Sequence, residues 1–482
     1  MRLEELLRGI PVLESNVDMG TQIRAVAHDS RKVEAGGLFV AISGFASDGN
    51  RFIPMALEKG AVAVVTGKRP EGEVPYVLVE DDRLALALIG CNWFGHPAKD
   101  MTLIGVTGTN GKTSVTWILK QVLEQVTGCK AGLIGTMENR IGDEVIPTDR
   151  TTPESFELQG LFHRMRSAGC KYAIMEVSSH AIALHRVGGV RFDVAAFTNL
   201  TEDHLDFHKT MEAYCDTKAE LFARCGAAVL NKDDEWYHRI GRKAQCPLVT
   251  TSAKGEATVW AKDARLLADG VSFTAVSDGI EIPVRLPIPG RFTVYNVLTV
   301  LGIVKALGID LHAAAQALAR VRGVKGRVEV VPTPGKEYTV LIDYAHTPDG
   351  LENVLRSVRD FCKGRLISVF GCGGDRDPIK RPIMGAIGAS LSDIAIITSD
   401  NPRTEDPQAI IQDIVKGIDP AASNYEIIEN RRKAIRYAMD IGEKDDIIIL
   451  AGKGHETYQE IQGVKHHLDE REEVAACLME MR

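Results

Sequence analysis

Apolar residues recur along this chain in two rhythms. Short, nearly unbroken aliphatic runs at 101–106, 173–177, 194–198, 339–343, 366–370, 394–398 and 446–450 have the length and make-up of strands buried on both faces. Between the runs, apolar positions return at three- and four-residue spacing. Val115, Ile118, Leu119, Val122 and Leu123 form one such helical stripe. Strand and helix alternate from 101 to about 330 and again from 339, the signature of parallel sheets covered by helices. The first hundred residues repeat the theme on a smaller scale, with strands at 25–30, 38–42 and 61–66 and a helix at 54–59. The reading is an α/β chain of three domains: a small module at 1–98, a central parallel-sheet domain at 99–328 and a Rossmann-like unit at 329–482. Turn residues at 93–100 mark the first linker. A chain of 482 residues is too long for one core, which agrees.

The first chemistry lies where the run 101–106 meets the helical stripe. Residues 107–113 read T-G-T-N-G-K-T, placing a glycine-bearing turn between a strand and a helix. That is the context of a phosphate-binding loop. Gly108 and Gly111 let backbone N–H groups converge on an anion, and the helix dipole adds to the field. Thr107, Thr109 and Asn110 complete the loop; Lys112 neutralises phosphate charge, and the Thr113 hydroxyl is a Mg²⁺ ligand. The strict G-x-x-x-x-G-K-[ST] spacing is not met, because Val106 stands where the first glycine belongs.

Composition narrows the classes. Hydrophobic content of 45% with 25% charged residues is that of a globular protein, and the net charge of −8 argues against a nucleic-acid partner. No apolar run reaches the roughly 18 residues of a membrane span, and the charged N-terminus is not a signal sequence. Nine cysteines without a C-x-x-C pair indicate neither a disulfide framework nor a thiolate zinc site, so the chain reads as soluble and cytoplasmic. Cys372, within G-C-G-G at 371–374, is open to two readings, a nucleophile or a small residue in a tight turn; the second is preferred.

Further polar groups sit at strand ends, where α/β sheets bind ligands. Glu176 ends the run 173–177, one crossover after the phosphate loop, and is placed to hold Mg²⁺. The segment 199–208 packs three carboxylates with His204 and His208, matches no zinc pattern, and reads as a polar shell around phosphate and metal. Lys218 lies on an amphipathic helix at 214–222, and spacing alone makes it a surface lysine. The segments 28–31 and 43–49 are polar loops that serve equally as ligand contacts or as turns.

In order along the chain, these segments resemble the Mur ligases. The likeness rests on T-G-T-N-G-K-T, E-V-S-S-H at 176–180, T-N-L-x-x-D-H-L-D-x-H at 198–208 and K-A-E-L-F at 218–222. It continues with G-R-V-E at 326–329, D-Y-A-H-T-P at 343–348 and G-C-G-G-D-R-D at 371–377. Two segments resemble the branch that adds the third amino acid of the peptidoglycan precursor: T-T-P at 151–153 and D-N-P-R at 400–403.

The resemblance implies ATP-dependent joining of meso-diaminopimelate to the D-Glu carboxylate of UDP-MurNAc-L-Ala-D-Glu, through an acyl phosphate and with Mg²⁺, by a cytoplasmic monomer. It implies that Asn296, Arg327, Asp343 and His346 lie near ATP, and that Ser30, Thr151, Thr152, Ser178 and Arg186 contact the UDP-dipeptide. It assigns the amino acid to Arg376, Asp400, Asn401, Pro402, Arg403, Gly452 and Glu456. Elementary chemistry agrees, since a guanidinium fork at Arg403 suits the distal carboxylate that lysine lacks, and Glu456 suits an ammonium. The resemblance also implies that His180 positions substrate and that His204 steadies the phosphates. Lys218 is implied to be carbamylated, a change that makes a cation into a metal ligand and needs a deprotonated amine. The rivals are a lysine-adding relative, a folylpolyglutamate synthetase and, from another class, a P-loop NTPase with a regulatory or motor role.

Overall fold

The computed structural model describes residues 1–44, 48–148 and 150–480. Residues 45–47 of the polar loop at 43–49 fall outside them. The chain forms two compact units, Met1–Ser252 with Thr299–Asp310, and Ala253–Leu298 with Leu311–Arg482.

The first unit holds two sheets. Strands Ala25–Ala27, Gly37–Ala41, Ala61–Thr66 and Tyr76–Val79 run parallel, and Val12–Ser15 pairs antiparallel along Tyr76–Val79. Gly37–Ala41 is buried at every position, as an uninterrupted apolar run predicts. The expected strand at 25–30 stops early because Asp29 accepts the N–H of Arg31 and opens the 3₁₀ turn Ser30–Lys32.

The second sheet carries the phosphate loop. Thr102–Thr107 lies between Tyr172–Glu176 and Phe192–Phe197, all parallel. Ala131–Ile134 continues one side; Cys225–Asn231 and Leu248–Ser252 continue the other. Helix Lys112–Thr127 buries Val115, Ile118, Leu119, Val122 and Leu123, the residues of the predicted stripe. It ends at Gly128, where φ of +67° suits a residue without Cβ.

In the second unit, Thr339–Asp343, Ile447–Ala451, Leu366–Phe370, Ile394–Ile397 and Tyr425–Ile427 form a parallel sheet in that order, with Glu329–Val331 antiparallel at one edge. A difference from the expected strand–helix alternation lies at Val259–Leu267, Gly270–Ser277 and Ile280–Leu286, which are consecutive and antiparallel. Asp278 and Gly279 both have positive φ, the geometry of a type I′ hairpin turn, so no helix intervenes. Among the described residues no helix is long and apolar enough to cross a membrane.

Candidate functional site

The chain leaves Thr102–Thr107 through Gly108, whose φ is +146°. A Cβ there would stand 2.0 Å from Thr198 Oγ1, so only glycine lets the loop pass the next strand end. That strand end then fixes the loop. Thr109 N–H donates to Asn199 O at 2.8 Å, Asn110 N–H to Asn199 Oδ1 at 2.9 Å, and Thr198 Oγ1 to Asn110 O at 2.6 Å. Lys112 Nζ folds back onto the carbonyls of Gly108 and Thr109, 2.8 Å from each. An ammonium, a helix N-terminus and a glycine-bounded loop thus share one place, the composition of a phosphate cradle.

Glu176 is buried at the end of the neighbouring strand and is gripped by donors. Its Oε2 accepts from Thr113 Oγ1 at 3.0 Å, and its Oε1 accepts the N–H of Thr136 at 2.9 Å. Thr136 Oγ1 lies 3.0 Å from both Glu176 Oε2 and Thr151 Oγ1. Thr152 Oγ1 donates to the Glu176 carbonyl at 2.8 Å, and Arg186 Nη1 donates to Thr152 O at 3.2 Å. Ser178 caps the short helix Ser179–Ala183 by accepting Ala181 N–H at 3.1 Å. Thr151, Thr152, Ser178 and Arg186 are therefore gathered around Glu176. Ser30 has other surroundings: in the 3₁₀ turn Ser30–Lys32 its hydroxyl meets Met55 Sδ, on helix Ile53–Glu58, at 3.3 Å.

Sequence reasoning overlooked Thr136, a lone hydroxyl in no motif. It also overlooked Glu154, which holds Arg150 at 2.7 Å, Arg186 at 2.9 Å and Arg83 at 3.4 Å. Burial pulls the Arg186 guanidinium below its usual value although Glu154 opposes the shift.

Lys218 is the main correction. Helix Met211–Ala219 turns this side chain inward, and it is 1% exposed. Nζ donates to Gly108 O at 3.0 Å and lies 4.6 Å from the centre of the Tyr214 ring. Burial, and then the like charge of Lys112, hold the amine well below its ordinary pKa. The surface reading failed because spacing along one helix cannot register a loop arriving over it.

The segment 199–208 divides. Glu202, Asp203 and Asp206 are exposed, and His204 adopts a left-handed φ of +53° with its ring 4.8 Å from that of His180. His208 instead enters the core, where Nε2 meets Ser179 Oγ at 2.9 Å. Burial pushes His208 down to about 4, and the neighbouring His180, Lys218 and His204 add to the shift.

Among the described residues no three His, Cys, Asp or Glu side chains converge into a metal cage. Mg²⁺ does not require one, because it commonly takes one or two protein oxygens and fills its octahedron with phosphate oxygens and water. The Thr113 hydroxyl beside the Glu176 carboxylate is a donor set of that kind. Lys218 as a free ammonium cannot ligate; as a carbamate it can.

The second unit places the residues assigned to the amino acid beyond the C-terminal ends of its parallel strands. Beyond Ile394–Ile397, Asp400 is buried 3.2 Å from Lys453 Nζ; burial alone would raise its carboxyl, but Lys453 and Arg431 hold it below the usual range. Asn401 Nδ2 donates to Glu456 Oε2 at 2.9 Å. A Cβ on Gly452, where φ is +115°, would stand 2.6 Å from Asp400 Oδ2. Arg403 has a φ of +51°; its Nη1 donates to Gly374 O at 2.7 Å and its Nε lies 3.3 Å from Glu460. A Cβ on Gly373 would sit 3.0 Å from Arg403 Nη1 and 3.9 Å from Arg376 Cγ, so both arginines border one glycine turn. Lys453, fully buried within this group, escaped notice in the sequence although G-K-G-H-E is a distinctive string.

The residues assigned to ATP in this unit have varied settings. Arg327 lies 5.9 Å from the Tyr344 ring centre, and His346, exposed, places Nδ1 2.8 Å from Tyr344 O. Both Asp343 oxygens accept backbone N–H groups, from Val328 and Ala345 at 2.8 Å, and burial raises its carboxyl. Its carboxylate thereby shapes the turn around Arg327. Asn296 is buried on helix Arg291–Ala306. Cys372 is buried with Sγ 3.5 Å from Met384 Sδ, and burial pushes its thiol up to about 12, which argues against the nucleophile reading.

The chain is a Mur ligase: residues 22–84 match the Mur ligase family catalytic domain, 106–304 the Mur ligase middle domain, and 326–454 the Mur ligase glutamate ligase domain. A UDP-N-acetylmuramoyl-L-alanyl-D-glutamate--2,6-diaminopimelate ligase of Caldanaerobacter subterraneus subsp. tengcongensis is 48% identical over 100% of this chain and 99% of its own. One from Clostridioides difficile is 45% identical over the whole of both chains. A solved structure of an enzyme with that name is 31% identical, with a TM-score of 0.78 over 100% of this chain and 99% of that one. The folylpolyglutamate synthase of Mycobacterium tuberculosis shares the fold, at 18% identity and a TM-score of 0.59 over 77% of this chain and 92% of its own.

Proposed function

We propose that this Mur ligase adds meso-2,6-diaminopimelate to the D-Glu carboxylate of UDP-MurNAc-L-Ala-D-Glu at the expense of ATP. The observation that carries the choice of amino acid is the joining of loop 400–403 to Glu456 through Asn401 Nδ2, which sets a guanidinium and a carboxylate on two linked loops. A diamino acid with a carboxylate at each end needs that pair of charges, whereas lysine lacks the second carboxylate. The relatives that match along the whole chain carry the diaminopimelate name.

In this reading residues 1–98 hold the uridine end, with Ser30 as a contact. Residues 99–328 hold ATP and the dipeptide, and 329–482 hold the amino acid. The D-Glu carboxylate attacks the γ-phosphorus, the bond to ADP breaks, and an acyl phosphate forms. The amine of diaminopimelate then attacks the acyl carbon, loses a proton, and phosphate leaves. Lys112 follows the charge on the transferring group, while Thr151, Thr152, Ser178 and Arg186 orient the dipeptide. Mg²⁺, when held by Thr113, Glu176 and carbamylated Lys218, offsets phosphate charge. His204 steadies the phosphates. The enzyme works in the cytoplasm as a monomer.

Phosphate release with ATP, Mg²⁺ and UDP-MurNAc-L-Ala-D-Glu tests this reading, with meso-diaminopimelate or L-lysine added separately. Turnover and ligation with diaminopimelate alone support it. A preference for lysine keeps the reaction and removes the argument from Arg403. Release indifferent to either acceptor favours a plain NTPase.

A further inference from the structure

Lys453 has no part in the scheme above, yet it is among the most completely buried side chains of the second unit. It follows Gly452 after strand Ile447–Ala451 and reaches three acceptors: Asn401 Oδ1 at 2.9 Å, Asp400 Oδ1 at 3.2 Å and Glu456 Oε2 at 3.2 Å. The Tyr458 ring centre lies 5.8 Å away. An ammonium out of water is tolerated when its N–H bonds all find strong acceptors, and each acceptor is fixed in return.

The consequence passes through Asn401. Its Oδ1 accepts from Lys453 and also from Glu460 N–H at 2.9 Å, which commits Nδ2 to Glu456 Oε2. Glu456 Oε2 thus takes two donors, while Oε1 accepts a hydrogen bond from no described residue. The carboxylate is held by one oxygen and presents the other.

Charge points the same way. Arg431 and Glu470 form a fully buried pair at 2.7 Å behind this group. Asp400, Glu456 and Glu470 against Lys453 and Arg431 leave one negative charge, which suits one incoming ammonium. Without Lys453 the group would hold two uncompensated carboxylates instead of one, and Glu456 would gain by turning to water.

We infer that Lys453 is a positioning residue that holds Glu456 turned with Oε1 toward the amino group of the incoming diamino acid. The inference rests on the proposed placing of an ammonium at Glu456. Steady-state kinetics on the full chain test it, with Glu456→Gln, Lys453→Met and Lys453→Gln compared while meso-diaminopimelate and ATP are varied separately, and with thermal melts alongside. Glu456→Gln should raise the KM for diaminopimelate about tenfold or more. Lys453→Met should raise it about tenfold, with the KM for ATP unchanged and kcat within about twofold. Lys453→Gln keeps two N–H donors; it should fall between Met and the native residue, and it decides the matter should Lys453→Met fail to fold. If Glu456→Gln is impaired and both Lys453 variants keep the native KM for diaminopimelate, the ammonium site stands and the role of Lys453 is lost. If KM for ATP rises while kcat and melting temperature fall in the Lys453 variants, the residue is structural and the inference is overturned. An unimpaired Glu456→Gln overturns the ammonium site itself.

Discussion

Thr113 Oγ1 donates to Glu176 Oε2 at 3.0 Å, so the first turn of the phosphate-loop helix is tied to the end of the adjacent strand. The same carboxylate takes the N–H of Thr136, which leaves it little freedom to rotate. Hydroxyl and carboxylate are therefore set side by side.

Replacement of Glu176 by glutamine keeps the shape of this contact and removes its charge. Turnover should fall about 100-fold or more, while the protein still folds and binds nucleotide. Phosphate-release assays paired with equilibrium ATP binding check both halves. Full turnover in Glu176→Gln would exclude the carboxylate from the chemistry.

For Lys218, burial and the charge of Lys112 favour the neutral amine, the form that captures carbon dioxide. In ¹³C-bicarbonate the native enzyme should show a carbamate resonance that Lys218→Met lacks, and the variant should lose about 100-fold in kcat. A resonance that persists in the variant would assign the modification to another lysine.

Arg403→Ala should raise the KM for meso-diaminopimelate about 10- to 100-fold, the range of a charged hydrogen bond, and leave the KM for ATP in place. Kinetics with each substrate varied in turn report it. Equal affinity for diaminopimelate in the variant and the native enzyme would remove the arginine from recognition.

His208 gives a pH dependence of stability with a definite sign. Its pKa is near 4 in the folded protein against an ordinary 6.5, so the unfolded chain binds more protons between those values. The contribution is fully present above about pH 6.5 and is lost as the pH falls toward 4, to a total of about 3 kcal/mol. Denaturant melts from pH 7 to 4.5 should show a steeper loss for the native chain than for His208→Gln. Parallel curves would place the acid sensitivity elsewhere.

What could be read from the chain follows burial. The strands Thr339–Asp343 and Leu366–Phe370 begin and end where their apolar runs do, because both faces are covered. The hairpins between 259 and 286 escaped that rule although Asp278-Gly279 is a strong turn signal. Phosphate loop and Glu176 were legible because their chemistry is tied to strand ends. Thr136, Glu154, Lys218 in its buried state and Lys453 were not, since each owes its position to a segment far away in sequence. Local spacing holds no trace of such an arrival.

Gly326 has a φ of +68°, and a Cβ there would stand 2.3 Å from the carbonyl carbon of Gly454 and 2.4 Å from the nitrogen of His455. The start of the C-terminal sheet and the loop that carries Glu456 thus share one contact with no room for a methyl group. Anyone redesigning this enzyme to accept a different amino acid by exchanging the 452–456 loop inherits that constraint. A donor loop will seat only if it brings its own counterpart of residues 326–329, so the two segments are one graftable part although they lie far apart in the gene.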